Sequence, residues 1–134
     1  MKRVHLDANV VLRFLRDDDP RQSPAARRLI GDANAGRVLL VLSVVTVAEI
    51  FYALRASYKL PRAEVAGLLQ DLVRSGVFAV EHEARLHEAL ARVRSANVDL
   101  GDAWLAATAA EAGEPVATFD EDFAAFTDVT RHSW

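Results

Sequence analysis

There is no cysteine in this 134-residue chain. That absence removes disulfide frameworks, thiolate zinc sites and thiol nucleophiles together, and it suits a reducing compartment. No apolar run approaches the roughly 20 residues that cross a bilayer. The longest, 38–48, is broken by Ser43 and Thr46. The opening Met-Lys-Arg-Val-His-Leu-Asp is charged at once and lacks the apolar stretch of a secretory leader. The sequence therefore predicts a soluble cytoplasmic protein without membrane attachment. Lysine is confined to Lys2 and Lys59, no glycine-rich phosphate loop occurs, and His5, His82, His87 and His132 show no His-x-x-x-His spacing. ATP use and a histidine zinc centre are set aside, and the histidines are expected to be structural or surface groups.

What the chain does have is enough apolar content, 51%, to build one core. A single domain over 1–134 is expected. Its charge is unevenly divided. Residues 1–67 hold 11 Lys/Arg against 7 Asp/Glu, whereas residues 68–134 hold 5 against 12. A net charge of −3 thus conceals a basic first half and an acidic second half. Such a division allows a basic rim around an acidic pocket, although ordinary solvated helix faces would give the same count.

Punctuation by proline and glycine predicts the elements. Val4-His5-Leu6 reads as a first strand, followed by a helix from Ala8 to the acidic turn Asp17-Asp18-Asp19-Pro20. Ser23 followed by Pro24 suggests a capped second helix, stopped by Gly36. Residues 38–42 have the branched apolar pattern of a strand buried on both faces. Ser43 can cap a third helix, with Thr46 beside it, and Pro61 opens a fourth that Gly76 closes. A third strand over 77–80, a helix marked by Leu86, Leu90 and Val93, and an alanine-rich helix from Asp99–Asp102 to Gly113 follow. A fourth strand is expected at 115–118, a helical turn at 121–125 and an edge strand at 128–130. Alternation of this kind predicts an α/β fold of three layers, with a mainly parallel sheet of four to five strands between helices.

Parallel sheets bind ligands beyond the carboxyl ends of their strands. Asp7 follows the first strand, Asp120 the expected fourth, Asp102 opens the alanine-rich helix, and Glu49 lies in the helix after the second strand. Asp7 and Asp120 would also serve as helix caps, and Asp102 with Asp99 would complement a helix dipole. Glu49 differs, because residues 45, 46, 52 and 53 offer it no cation. Set between Ala48 and Ile50, it is expected to need a tertiary partner, either a metal or a distant cation. Four carboxylates sharing one crevice suit Mg²⁺, which takes oxygen ligands and promotes attack of water on a phosphodiester.

Four segments carry a family likeness. Leu6-Asp7-Ala8-Asn9-Val10-Val11-Leu12, Val47-Ala48-Glu49-Ile50, the run from Asp99 through Asp102 to Ala109, and Thr118-Phe119-Asp120-Glu121-Asp122-Phe123 resemble the four acidic motifs of PIN domains. Their order and the chain length most resemble the VapC toxins of bacterial toxin–antitoxin pairs. The resemblance implies a PIN-like nuclease domain and a Mg²⁺-dependent endoribonuclease, with Mn²⁺ as a substitute. It assigns metal binding and water activation to Asp7, Glu49, Asp102 and Asp120. Asn9, Thr118, Asp99 and Asp122 become supporting or substrate-positioning groups. It also implies an RNA substrate, a homodimer and silencing by a VapB-type antitoxin.

Arg13, Arg16, Arg27 and Arg28 are the candidates for an RNA-binding rim, while Trp104 and Trp134 read as packing residues. Two other classes compete. A phospho-accepting receiver domain would need paired acids after the first strand and a late lysine, and neither is present. A PIN-like RNA-binding module that has lost catalysis would keep the fold alone.

Overall fold

The computed structural model describes all residues from Met1 to Trp134. Three strands, β1 (Lys2–His5), β2 (Val38–Leu42) and β3 (Phe78–Val80), form a parallel sheet in the order β1-β2-β3. Between and after them run α1 (Ala8–Arg16), α2 (Gln22–Asn34), α3 (Val44–Ala56), α4 (Arg62–Arg74), α5 (Glu83–Ala96) and α6 (Leu100–Ala112). A 3₁₀ turn at Glu121–Ala125 completes the chain. This is an α/β fold of six helices on a parallel sheet.

Sheet register explains which strand residues enter the core. Val4 pairs with Leu40 and Leu40 with Phe78, so one face carries Val38, Leu40, Leu42 and Phe78 into the interior. On the other face Arg3 and His5 are exposed and Val41 and Ala79 are only half-buried. The expectation that β2 is buried on both faces therefore holds for one face only. Helix α2 packs on β2, α1 on α2 and α3, and α4, α5 and α6 pack in succession. Val47, Ile50, Phe51 and Leu54 form the buried stripe of α3 at helical spacing.

Two local expectations need correction. The α2 helix starts at Gln22, so Ser23 is not its cap: Arg21 holds the cap position without a side-chain bond, and Asp19 Oδ1, in the turn before it, accepts the backbone N–H of Arg21 at 2.9 Å and of Gln22 at 2.7 Å. Ser23 is instead buried in the first turn, its hydroxyl taking the Asp19 N–H at 3.2 Å.

The sheet also has three strands rather than four or five. At 115–118 there is one bridge, with Val116 donating to the Thr130 carbonyl at 2.8 Å and accepting from His132 at 2.7 Å. Pro115 has no N–H to extend such a ladder, and the chain turns at Thr118, whose hydroxyl takes the Asp120 N–H at 2.9 Å. Residues 128–130 likewise form no strand.

The segment beyond this bridge is fastened by Arg92 of α5, the one buried arginine. Its guanidinium donates to Asp128 Oδ1 at 2.9 Å and Glu88 Oε1 at 2.7 Å, and lies 5.1 Å from the Phe126 ring centre. Arg92 holds the Asp128 carboxyl below its ordinary value. Asp128→Asn should cost about 1–2 kcal/mol at pH 7, the range for a charged hydrogen bond reduced for the partial exposure of Asp128. A depressed carboxyl contributes stability above its unfolded value and loses it as pH falls through the folded one. Urea unfolding of both proteins should therefore show a gap at pH 7 that closes in strong acid.

Candidate active site

The acidic side chains form two sets around the carboxyl end of the sheet. Asp7, immediately beyond β1, and Glu49, on α3, line one cleft of about 580 Å³ together with Asn9 and Thr46. Asp7 caps α1, its Oδ1 accepting the Asn9 N–H at 2.6 Å, which fixes the carboxylate and leaves Oδ2 free of protein partners. The Asn9 amide turns to Gln22 Oε1 at 3.3 Å. Ser43 caps α3 as expected, accepting the Thr46 N–H at 3.1 Å, so Ser43 and Thr46 are structural at this site.

Glu49 is exposed, and no distant cation of the chain meets it as the tertiary partner its apolar neighbours led to expect. With Val45 and Tyr52 it occupies the stripe of α3 opposite the core residues, at spacing i, i+4, i+7. Its carboxylate has no hydrogen bond or ion pair within the chain, and water solvates it.

The second set surrounds Asp102 in the first turn of α6. Asp102 is half-buried and has no hydrogen-bonded cation. Burial raises its carboxyl above the ordinary value, and the charges of Asp120, Asp99 and Asp122 raise it further. The two aspartates of this motif are physically distinct. Asp99 receives Arg62 Nε at 2.7 Å, and the same guanidinium reaches Asn97 Oδ1 at 3.0 Å. Asp102 is left without compensation. Asp120 caps the 3₁₀ turn by accepting the Asp122 N–H at 2.9 Å, and Thr118 steadies its own N–H.

Tyr52 joins the two sets. It lies on the Glu49 stripe, and its hydroxyl accepts the Gly101 N–H at 3.0 Å, fastening α3 to the start of α6 one residue before Asp102. A Cβ at position 101 would sit 3.0 Å from that oxygen, so glycine makes room for the contact. Neither Tyr52 nor Arg62 stood out in the sequence. The exposed Val45-Glu49-Tyr52 stripe was a usable signal for Tyr52, but a tertiary pair such as Arg62–Asp99 leaves no local trace. Removing the contact by Tyr52→Phe should cost about 0.5–1.5 kcal/mol. Urea unfolding of wild type and variant checks this.

The expected arginine rim is only partly free. Arg13 donates to Asp18 at 2.9 Å and to Gln22 at 2.9 Å, Arg27 pairs with Asp17, and Arg16 lies 5.0 Å from the Tyr58 ring centre. The acidic turn at 17–19 takes up Arg13 and Arg27, leaving Arg16 and Arg28 exposed without a carboxylate partner. Trp104 packs as expected, half-buried with Arg85 5.2 Å from its ring centre. Trp134 stays outside the core, 74% exposed.

The model of the PIN domain matches residues 4–129, nearly the whole chain. The chain belongs to the PIN domain family. PIN domains are generally nucleases, which places this one among nuclease-type hydrolases, and they generally work with divalent metals. Comparison with curated proteins and with solved structures finds no match. The donor chemistry of this PIN domain fits a hard cation: its candidate ligands are all carboxylate oxygens, and Asp102 is a half-buried acid among acids. No three of these side chains converge closely enough to hold one ion by themselves.

Proposed function

We propose that this PIN domain is a Mg²⁺-dependent endoribonuclease, with Mn²⁺ as a substitute, serving as the toxin of a VapBC-type toxin–antitoxin pair. The observation that carries the reading is Asp102, half-buried beside Asp120, Asp99 and Asp122 with no cation to offset it. A fold gains nothing structural from that crowding, whereas a metal site requires it.

Asp7 and Glu49 from one set and Asp102 and Asp120 from the other are the residues that would hold the ion, one or two of them directly and the rest through its waters. An ion held there would make a nearby water easier to deprotonate and would offset charge on the phosphoryl oxygens. The chain's own groups do the rest. Asp7 and Asp120 are held by backbone N–H groups through one oxygen and present the other. Glu49, exposed on the cleft wall and free of partners, accepts the proton of the attacking water at its carboxylate. Asn9 offers its amide to the substrate phosphate, and Thr118 orients Asp120 through its N–H. Arg62 keeps Asp99 neutralised so that Asp102 is the acid left free.

The cytoplasmic setting, the homodimer and silencing by a VapB-type antitoxin belong to the same reading and are supported by the likeness of the four motifs to VapC toxins. A circular RNA, which offers no ends, tests the reaction class. Opening of the circle with Mg²⁺ or Mn²⁺, and not of a DNA circle of the same sequence, is the expected result. Intact circles beside shortened linear RNA would replace the endonuclease by an exonuclease. For the toxin role, induced expression should arrest bacterial growth, and co-expression of the adjoining antitoxin should restore it.

A further inference from the structure

Phe119 and Trp134 are 85% and 74% exposed, yet their rings stack on one another at 4.7 Å between centres and 14° between planes. Large aromatic rings left in water are unfavourable unless something covers them. The pair is not a loose end: the Val116 bridge lays the two segments side by side, and the His132 ring meets Trp134 edge-on at 5.0 Å. Phe119 also lies between Thr118 and Asp120 in the turn that Thr118 closes, so its backbone adjoins that of Asp120.

Resting on the nuclease reading above, we propose that the Phe119–Trp134 stack is a platform for an unpaired nucleobase of single-stranded RNA adjoining the scissile phosphate. The chemistry favours this occupant. Arg13 and Arg27 face Asp18 and Asp17, only Arg16 and Arg28 of the candidate rim stand free, and the net charge is −3, so charge offers RNA few contacts and stacking can add to them. Stacking recruits RNA without positive charge, because every base presents a π-face to an aromatic ring. The platform is accordingly tolerant of base identity and selective for unpaired strands. Binding through it depends only shallowly on salt.

The test uses Asp7→Asn protein in Mg²⁺, so that RNA is bound without being cut, and an unstructured ten-nucleotide RNA followed by fluorescence anisotropy. Adding Phe119→Ala or Trp134→Ala should weaken binding between about five- and a hundredfold, the effect of losing one base–aromatic stack. Phe119→Trp should restore it. One abasic position in the RNA should cost a similar factor with Phe119 present and almost nothing with Phe119→Ala. Because both rings are exposed, the variants should melt with the parent, which separates loss of contact from loss of fold.

Affinities within twofold of the parent, or no penalty for the abasic RNA, would overturn the proposal. So would loss of self-association, with RNA binding unchanged, on removing the rings. Hydrolysis of bis(p-nitrophenyl) phosphate, a diester without a base, distinguishes the two readings. If wild type hydrolyses it while the alanine variants bind RNA normally, only the platform fails. If wild type hydrolyses neither that diester nor RNA, the nuclease reading fails and the platform with it.

Discussion

Asp7→Asn should lower the rate of RNA cleavage by at least about a thousandfold, equivalent to roughly 4 kcal/mol of transition-state stabilisation, while leaving the fold unchanged. Both halves follow from one geometry. Asp7 Oδ1 caps α1 by accepting the Asn9 N–H. Asparagine caps a helix about as well as aspartate, so stability should move by no more than about 0.5 kcal/mol. The second oxygen, which faces the Glu49 cleft, loses its charge. The pair of measurements, initial rate and urea midpoint, separates a cap from a functional carboxylate. If Asp7→Asn cleaves RNA within tenfold of wild type, Asp7 is a cap and nothing more.

The second large effect concerns stability and lies at Asp102. Without metal, Asp102→Asn should stabilise the protein at pH 7 by on the order of 1 kcal/mol, or about 3–5 °C in Tm. The sign follows from linkage. The folded-state carboxyl is raised above its ordinary value, first by burial and then by the charges of Asp120, Asp99 and Asp122. As pH climbs, the unfolded chain releases its proton first, and the folded state loses stability until its own carboxyl ionises. Below the ordinary Asp value of 3.8 both states are protonated, and the advantage of the variant should vanish. Metal should reverse the order. Wild type with Mg²⁺ at 100 times its dissociation constant gains about 2.7 kcal/mol, and the variant should gain less. Melting curves at pH 7 and pH 3, in EDTA and in Mg²⁺, check all four corners. Wild type melting above Asp102→Asn in EDTA at pH 7 would mean that a protein cation already neutralises Asp102.

Much of the fold was legible because its signals are local. Pro61 and Gly76 bracket α4, Ser43 caps α3, and the apolar run of β2 coincides with the strand observed. The missing fourth strand shows where local pattern fails: Val116 is buried as a strand residue would be, but a ladder needs a partner of matching length, and only Thr130 and His132 bond to it. Glu49 shows a second limit. Apolar neighbours suggested a tertiary partner, whereas the helical phase sets Val45, Glu49 and Tyr52 opposite the core. The sequence offered the acids as candidates, but which of them lacks a partner depends on tertiary pairs such as Arg62–Asp99. The pairing of the candidate arginine rim was hidden for the same reason, since Asp17 and Asp18 lie close enough to meet Arg27 and Arg13.

The central claim is that these acids work only through a divalent cation, and metal add-back tests it most directly. Protein stripped with EDTA and passed into metal-free buffer is mixed in excess with end-labelled RNA, and the cut fraction is followed before and after adding Mg²⁺. No cleavage before addition, full cleavage after it, and none at any time with Asp7→Asn is the predicted result. Cleavage by the stripped protein in the continued presence of EDTA would contradict it.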